Sequence, residues 1–332
     1  MTRPLASSPA VLAAALALTA PLAPAQMIDV AQGPLNAAGT QVKPNIMFIL
    51  DDSGSMNFEF MPDEVGMTKD WSRDTQRGEF MVGYWSAQCN GVAFDPSLEY
   101  APPVNAAGAA YPNASFTAAR PDGFRGSTAT TNLPTNLNNS FYYVYVPYTG
   151  SPAAMSWTYY SSGAANESTV FYRECMQTMA AAEASGRFRK VTLNTADTSA
   201  AAVALRQKYA NWYTYYRSRK LTMRSAVGRS FRSIGENYRV GITLLSDASV
   251  TSSSFLGVND FVDRSGVGSG LQRSDFYRLL YSAETVDGWT PLRGALSKVG
   301  RYFGKTYPGQ NTDPVQHSCQ RNYALLSTDG YW

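Results

Sequence analysis

The sequence predicts an α/β protein built on a doubly wound, mostly parallel sheet. Three short apolar runs have the length of strands and end in polar turns: Asn45–Leu50, Tyr238–Leu245 and Asn322–Ser327. Continuous apolar runs of this length are typical of strands buried on both faces of a sheet. Segments with helical periodicity lie between them, and this alternation places helices on both faces of a parallel sheet.

Helical periodicity is clearest from Leu205 to Ile234, where apolar residues recur at helical spacing. The pattern predicts one long amphipathic helix or a broken pair. The opposite face is basic and consists of Arg206, Lys208, Arg217, Arg219, Lys220, Arg224, Arg229 and Arg232. We interpret this face as solvated, with binding of an anionic partner as the alternative.

Two further helices are predicted in the C-terminal third of the chain. One opens at Thr290 with Pro291 in its first turn, which is a favourable position for proline, and an apolar stripe follows from Leu292 to Phe303. A weaker pattern predicts another helix from Ser274 to about Ala283.

The N-terminus has the features of an export signal. Arg3 precedes a largely apolar run, Val11–Leu22, and small residues follow at Ala23–Ala25, before a cleavage site ahead of Gln26. The run is too short to span a membrane comfortably. We therefore predict a signal peptide over residues 1–25 and an exported chain with no stable membrane span.

A long segment, residues 57–204, separates the first strand from the first helix and far exceeds an ordinary loop. It is rich in small and polar residues, and Phe141–Val146 within it resembles a strand. We predict a mostly β or irregular subdomain over 57–204, inserted into an α/β domain that residues 26–56 and 205–332 form.

Composition argues against several classes of function. A formal net charge of +3 over 332 residues is too weak to indicate a nucleic-acid partner. His317 is the only histidine, so a zinc site or a Ser-His-Asp triad has little support. An exported hydrolase that used Ser53 or Ser55 would also lack the G-x-S-x-G elbow, and it is the weakest alternative.

Oxygen-bearing side chains occur where the predicted strands end. Asp51, Ser53 and Ser55 follow the first strand, Thr290 opens a helix, and Asp329 follows the third strand. Ligands bind at this edge of open parallel sheets, and hard divalent cations prefer oxygen ligands. The five residues together predict a divalent metal site. Taken singly, each has a structural alternative, because Asp and Ser favour turns and Thr favours helix caps.

The segments around these residues resemble a known site. D-D-S-G-S-M after an apolar strand, T-P-L-R-G-A-L at a helix start and T-D-G after another strand are similar to the metal-ion-dependent adhesion site of von Willebrand factor A domains. The resemblance implies that Ser53, Ser55 and Thr290 contact Mg²⁺, with Mn²⁺ or Ca²⁺ as alternatives. It implies that Asp51 and Asp329 act directly or through water, and that a partner carboxylate completes the coordination.

Longer segments resemble the PilY family of type IV pilus tip and biogenesis proteins: Pro44–Met56, Ala210–Arg219 and Cys319–Trp332. This resemblance implies a non-enzymatic adhesion and pilus biogenesis module in the periplasm and then at the cell surface or pilus tip of a Gram-negative bacterium. Its partners would be pilins, minor pilins or a host surface protein, bound through an acidic residue. The alternative is an assembly factor that opposes retraction, with a structural or regulatory metal.

The resemblance also implies that the A-type domain is incomplete at its C-terminus, because complete domains continue beyond the strand that ends before Asp329. An unpaired sheet edge is expected there.

The chain has three cysteines, an odd number. We predict a disulfide between Cys89 and Cys175, because both lie in the loop-rich insertion, which gains most from a crosslink. Cys319 then stays free or pairs elsewhere.

Overall fold

The computed structural model describes residues 42–65, 81–126, 129–135, 140–147, 175, 177–264, 270–286 and 290–329. All of them belong to one unit of the chain, Val42–Trp332. The predicted signal peptide, residues 1–25, lies outside the described residues.

The central sheet is mixed and mostly parallel. The strands of the chain are β1 (Asn45–Leu50), β2 (Phe141–Tyr145), β3 (Phe188–Thr192), β4 (Arg239–Leu244), β5 (Leu256–Asp260) and β6 (Asn322–Ser327). The order in the central sheet is β5-β4-β1-β6, in which β1 is parallel to both neighbours and β5 is antiparallel to β4. The predicted α/β class with a mostly parallel sheet is therefore confirmed.

Strand β5 is the element of this sheet that the sequence patterns did not predict. It approaches β4 closely at Gly241, where an added Cβ would lie 2.4 Å from the Leu256 carbonyl oxygen. The register shifts between Val240 and Ile242 at the same place. A glycine in a strand often marks such a close backbone approach.

The helices of the described chain are α1 (Met179–Ala184), α2 (Ala200–Tyr215), α3 (Arg219–Ser230), α4 (Gln272–Ser282) and α5 (Leu292–Phe303). Of these, α4 and α5 pack on opposite faces of the central sheet. Ile46, Phe48 and Leu50 of β1 pack in one core with residues of α4, whereas Met47 and Ile49 pack in another with residues of α5. Alternation along one buried strand thus builds two cores. In the described part of the chain, no helix is long and apolar enough to cross a membrane.

The periodic segment is a broken pair, α2 and α3, which is one of the two predicted alternatives, and the Ser218 hydroxyl caps α3 by accepting from the Leu221 N–H at 3.3 Å. Two other helix predictions need correction. The basic face is not uniformly solvated, because Arg219 and Arg224 are buried. The last helix begins at Leu292 and not at Thr290, because Pro291 occupies the cap position.

The described part of the predicted insertion contains an antiparallel hairpin of β2 and β3. Phe141 and Tyr143 pack in one cluster with Cys89 and Cys175, which form a disulfide with Cα atoms 5.8 Å apart. Tyr142 packs on the other side in a cluster with residues of α2. The disulfide is the pair expected from the sequence. Helix α2 begins at Ala200, so the domain boundary at residue 204 stays a prediction.

Candidate metal centre

The turn after β1 brings three of the predicted ligands together. Leu50 ends the strand, and a 3-10 turn follows over Gly54–Asn57. The Ser53 N–H donates to Asp51 Oδ1 at 2.8 Å, and the hydroxyls of Ser53 and Ser55 lie 3.2 Å apart. Two hydroxyls and one carboxylate therefore share a single turn.

The two adjacent aspartates of this turn have different environments. Both oxygens of Asp52 accept hydrogen bonds from Ser246, from its N–H at 3.0 Å and from its hydroxyl. Burial raises the pKa of Asp52, while these hydrogen bonds act in the opposite direction. Asp51 is also buried, but its Oδ2 has no hydrogen-bond partner. Asp52 thus anchors the end of β4, and Asp51 keeps one oxygen free for a ligand.

Asp329 reaches the same edge of the sheet through β6. Leu50 pairs with Ser327 in the parallel register of β1 and β6, so both strands end side by side. Asp329 Oδ2 accepts from Arg219 Nη1 at 2.7 Å, while Asp329 Oδ1 is buried without a hydrogen-bond partner.

These free oxygens fit a bound cation. Among the described residues, the buried carboxylate oxygens without a hydrogen-bond partner are those of Asp51 and Asp329. Such oxygens ordinarily have partners, because burying an uncompensated polar group is costly. The described residues contain no group of three or more His, Cys, Asp or Glu that could hold a metal. The predicted set is of a different kind, since hydroxyls supply most of its ligands.

Thr290 is not hydrogen-bonded to the other four predicted ligands in the described structure. It is half-buried and lies two residues before α5. Val286, four residues before Thr290, lies beside the metal turn, where its N–H donates to the Asp52 carbonyl at 2.7 Å. The role of Thr290 as a ligand stays a prediction.

Sequence reasoning missed Arg219 as part of this site. Its Nε donates to the Phe60 carbonyl at 2.8 Å, its guanidinium pairs with Asp63 and Asp329, and its side chain is 3% exposed. The available signal was its place in the first turn of α3, where the helix dipole disfavours cations. A cation in the first turn of a helix therefore needs carboxylates from elsewhere in the fold to stabilise its charge.

Arg219 lowers the negative charge of the centre. Its guanidinium pairs with Asp329, one of the two candidate ligand carboxylates, and also with Asp63. Part of the negative charge that would face a bound cation is therefore already compensated.

The residues considered for a hydrolase, His317, Ser53 and Ser55, have different surroundings in the structure. His317 is exposed, before β6. The hydroxyls of Ser53 and Ser55 are hydrogen-bonded to each other.

Fold and site together define an α/β protein with an oxygen-lined candidate cation site at the carboxyl edge of its sheet. Over 340 residues and 97% of its length, the chain is 30% identical to the type IV pilus biogenesis factor PilY1 of Pseudomonas aeruginosa strain PAK. It is 31% identical over 341 residues to PilY1 of strain PAO1 of the same species. The chain belongs to the PilY family.

The chain spans about a quarter of the length of these relatives, 27% and 26% respectively. No protein-family model matches it, and no solved structure gives a significant match.

Proposed function

We propose that the chain is an exported, pilus-associated adhesion module with a von Willebrand factor A-like fold and no enzymatic activity. A divalent cation, Mg²⁺ in the first instance, binds to Asp51, Ser53, Ser55, Thr290 and Asp329. A carboxylate of a protein partner completes its coordination. Pilins, minor pilins and host surface proteins are the classes of partner.

One observation carries this proposal. Asp51 and Asp329 come after β1 and β6, which are parallel neighbours in the same sheet. Each aspartate keeps a buried carboxylate oxygen without a hydrogen-bond partner. A hard cation satisfies both oxygens at once. Neutral hydroxyls from Ser53 and Ser55 fill further positions without neutralising it, so the bound ion keeps its attraction for an acidic partner.

The test is Mg²⁺ titration of the purified chain by calorimetry. Asp51→Asn removes one of the two carboxylates while keeping the shape of the side chain, and we expect Mg²⁺ affinity to fall at least about tenfold. Asp313→Asn is the matched control, since exposed Asp313 only accepts from the Val315 N–H. Equal Mg²⁺ affinity in Asp51→Asn and wild type would rule out the site.

A second candidate is favoured by the relatives, which are named biogenesis factors. In this role the chain supports pilus assembly or opposes retraction, and the cation orders the sheet edge without touching a partner. Cells that carry Asp51→Asn separate the two roles. Normal pilus numbers with lost adhesion support the adhesion module, whereas lost pili support the assembly factor.

A further inference from the structure

Lys220 lies where two recesses beside the metal turn meet. The smaller recess holds about 200 Å³ of space, part of it continuous with solvent, and is lined by Asp51, Asp52, Lys220 and Arg224. The larger one is an open cleft that encloses about 570 Å³, including space continuous with solvent, and Asn57, Arg125 and Lys220 line it. Lys220 therefore borders both the candidate metal ligand Asp51 and a cleft that a partner can enter.

The charges along the cleft are unbalanced at Lys220. Arg217 is paired with Glu59 at 2.7 Å, and Arg125 approaches Asp122 at 3.4 Å. The Lys220 ammonium donates to Asn57 Oδ1 at 2.8 Å, and none of the described carboxylates forms an ion pair with it.

The setting of Lys220 is unfavourable for a cation. It lies in the first turn of α3, at the positive end of the helix dipole. Burial, and then the charge of Arg224, lowers the pKa of Lys220 to about 8. An anion bound beside it would relieve all three effects, because opposite charges stabilise each other most where water is partly excluded.

We propose that Lys220 is a second anchor for the partner, and that the site takes an acidic protein segment with two carboxylates. One carboxylate completes the cation at Asp51, Ser53 and Ser55, and the other binds the Lys220 ammonium at the mouth of the cleft. This inference rests on the proposed function and adds the chemistry of the partner to it. Two anchors also fix the direction in which the segment crosses the sheet edge, which a single metal contact does not.

The test uses the purified chain, Mg²⁺ and two labelled peptides that differ in one residue. The first peptide carries two aspartates separated by glycines, and the second has asparagine in place of one aspartate. Fluorescence anisotropy with Mg²⁺ gives the ratio of their affinities, which we expect to be roughly tenfold in favour of the first. Lys220→Gln should bring this ratio close to one, and Lys220→Arg should preserve it.

Lys190→Gln is the control, because Lys190 is exposed on β3 and its replacement also removes one positive charge. This variant should leave the ratio of the two peptide affinities unchanged. Calorimetry with Mg²⁺ alone separates the two proposals, because Lys220→Gln should not weaken Mg²⁺ binding. An unchanged peptide ratio in Lys220→Gln overturns the second anchor while leaving the metal site standing. Weaker Mg²⁺ binding in Lys220→Gln overturns it as well, since Lys220 would then support the metal turn. Equal binding of both peptides to the wild type has the same consequence.

Discussion

At the scale of single residues, partners decide the role of a side chain more than its type does. Asp51 and Asp52 are adjacent and equally buried, yet Ser246 occupies both oxygens of Asp52 and leaves Asp51 with one free oxygen. The sequence places both aspartates at the correct edge of the sheet. It does not show that Ser246, which comes after β4 in the chain, lies within hydrogen-bonding distance of Asp52.

The basic residues of α2 and α3 show the same limit. As a helical face they predict solvation, but Arg219 is buried beside the stacked rings of Phe58 and Phe60, whose centroids lie 5.3 and 5.5 Å from its guanidinium. These rings come from the start of the predicted insertion. Local periodicity carries no information about a segment that returns from elsewhere in the chain.

Lys220 should reduce the stability of the folded chain near neutral pH. Its folded-state pKa is lowered to about 8, by burial first and then by Arg224, with Arg125 acting in the same direction and Asp122 against it. A lysine whose folded pKa is lowered destabilises the fold below that pKa, and the penalty disappears as pH rises from there to the unfolded pKa near 10.4. We therefore expect Lys220→Met to raise the Tm at about pH 7, with a smaller gain at about pH 10.

Thermal melts of wild type and Lys220→Met, recorded without divalent cations, check this expectation. Lys305→Met serves as the control, because Lys305 is exposed after the end of α5. A Tm for Lys220→Met below that of the wild type at both pH values would show that the hydrogen bond of the ammonium to Asn57 outweighs the cost of its buried charge.

At the scale of elements, the most apolar strands were predictable and the strands with mixed exposure were not. β1 was predicted to the residue, because all six of its side chains are buried. β3 and β5 were missed, because their exposed polar residues alternate with few buried ones and leave no continuous apolar run. β6 was also predicted to the residue, although its first four residues are exposed at the edge of the described sheet.

The start of α5 sharpens the prediction for Thr290. Because Pro291 occupies the cap position, Thr290 does not cap the helix, and its removal should not cost the roughly 1 kcal/mol of a lost cap. We expect Thr290→Ala to shift the free energy of unfolding by less than about 0.5 kcal/mol. If Thr290 is a ligand, the same variant should bind Mg²⁺ several-fold more weakly, and Thr290→Ser should restore binding.

Denaturant unfolding and Mg²⁺ calorimetry on the same samples separate the two effects. Loss of stability without loss of Mg²⁺ affinity would give Thr290 a purely structural role. EDTA treatment of the wild type beside untreated Thr290→Ala extends the comparison to adhesion in cells.

At the scale of the whole molecule, the predicted insertion contacts the candidate metal centre. Arg219 of α3 binds Asp63 near the start of that segment and Asp329 after β6. The Phe58 carbonyl accepts from the Arg219 N–H at 3.0 Å, which adds a backbone link. The sheet edge that carries the site is thus joined to residues 58–63. A substitution in that segment can therefore alter the position of Asp329 through Arg219.

The disulfide gives the last prediction, because it lies in a hydrophobic cluster distinct from the two cores of the sheet. Cys89 and Cys175 are separated by 86 residues, and a crosslink closing a loop of that size stabilises by about 4.6 kcal/mol in the chain-entropy model. Replacing both with serine should therefore loosen the cluster around Phe141 and Phe188 first, while β1 and β4 keep their packing. Hydrogen exchange should accelerate in β2 and β3 at conditions where β1 and β4 stay protected, since local opening follows cooperative units.

Cys319→Ser, which changes the exposed free cysteine, is the control and should leave exchange unchanged. Equal acceleration in all four strands would mean that the hairpin and the sheet unfold as one unit, and peptide mapping that links Cys319 to either of the other cysteines would show that the pairing is wrong.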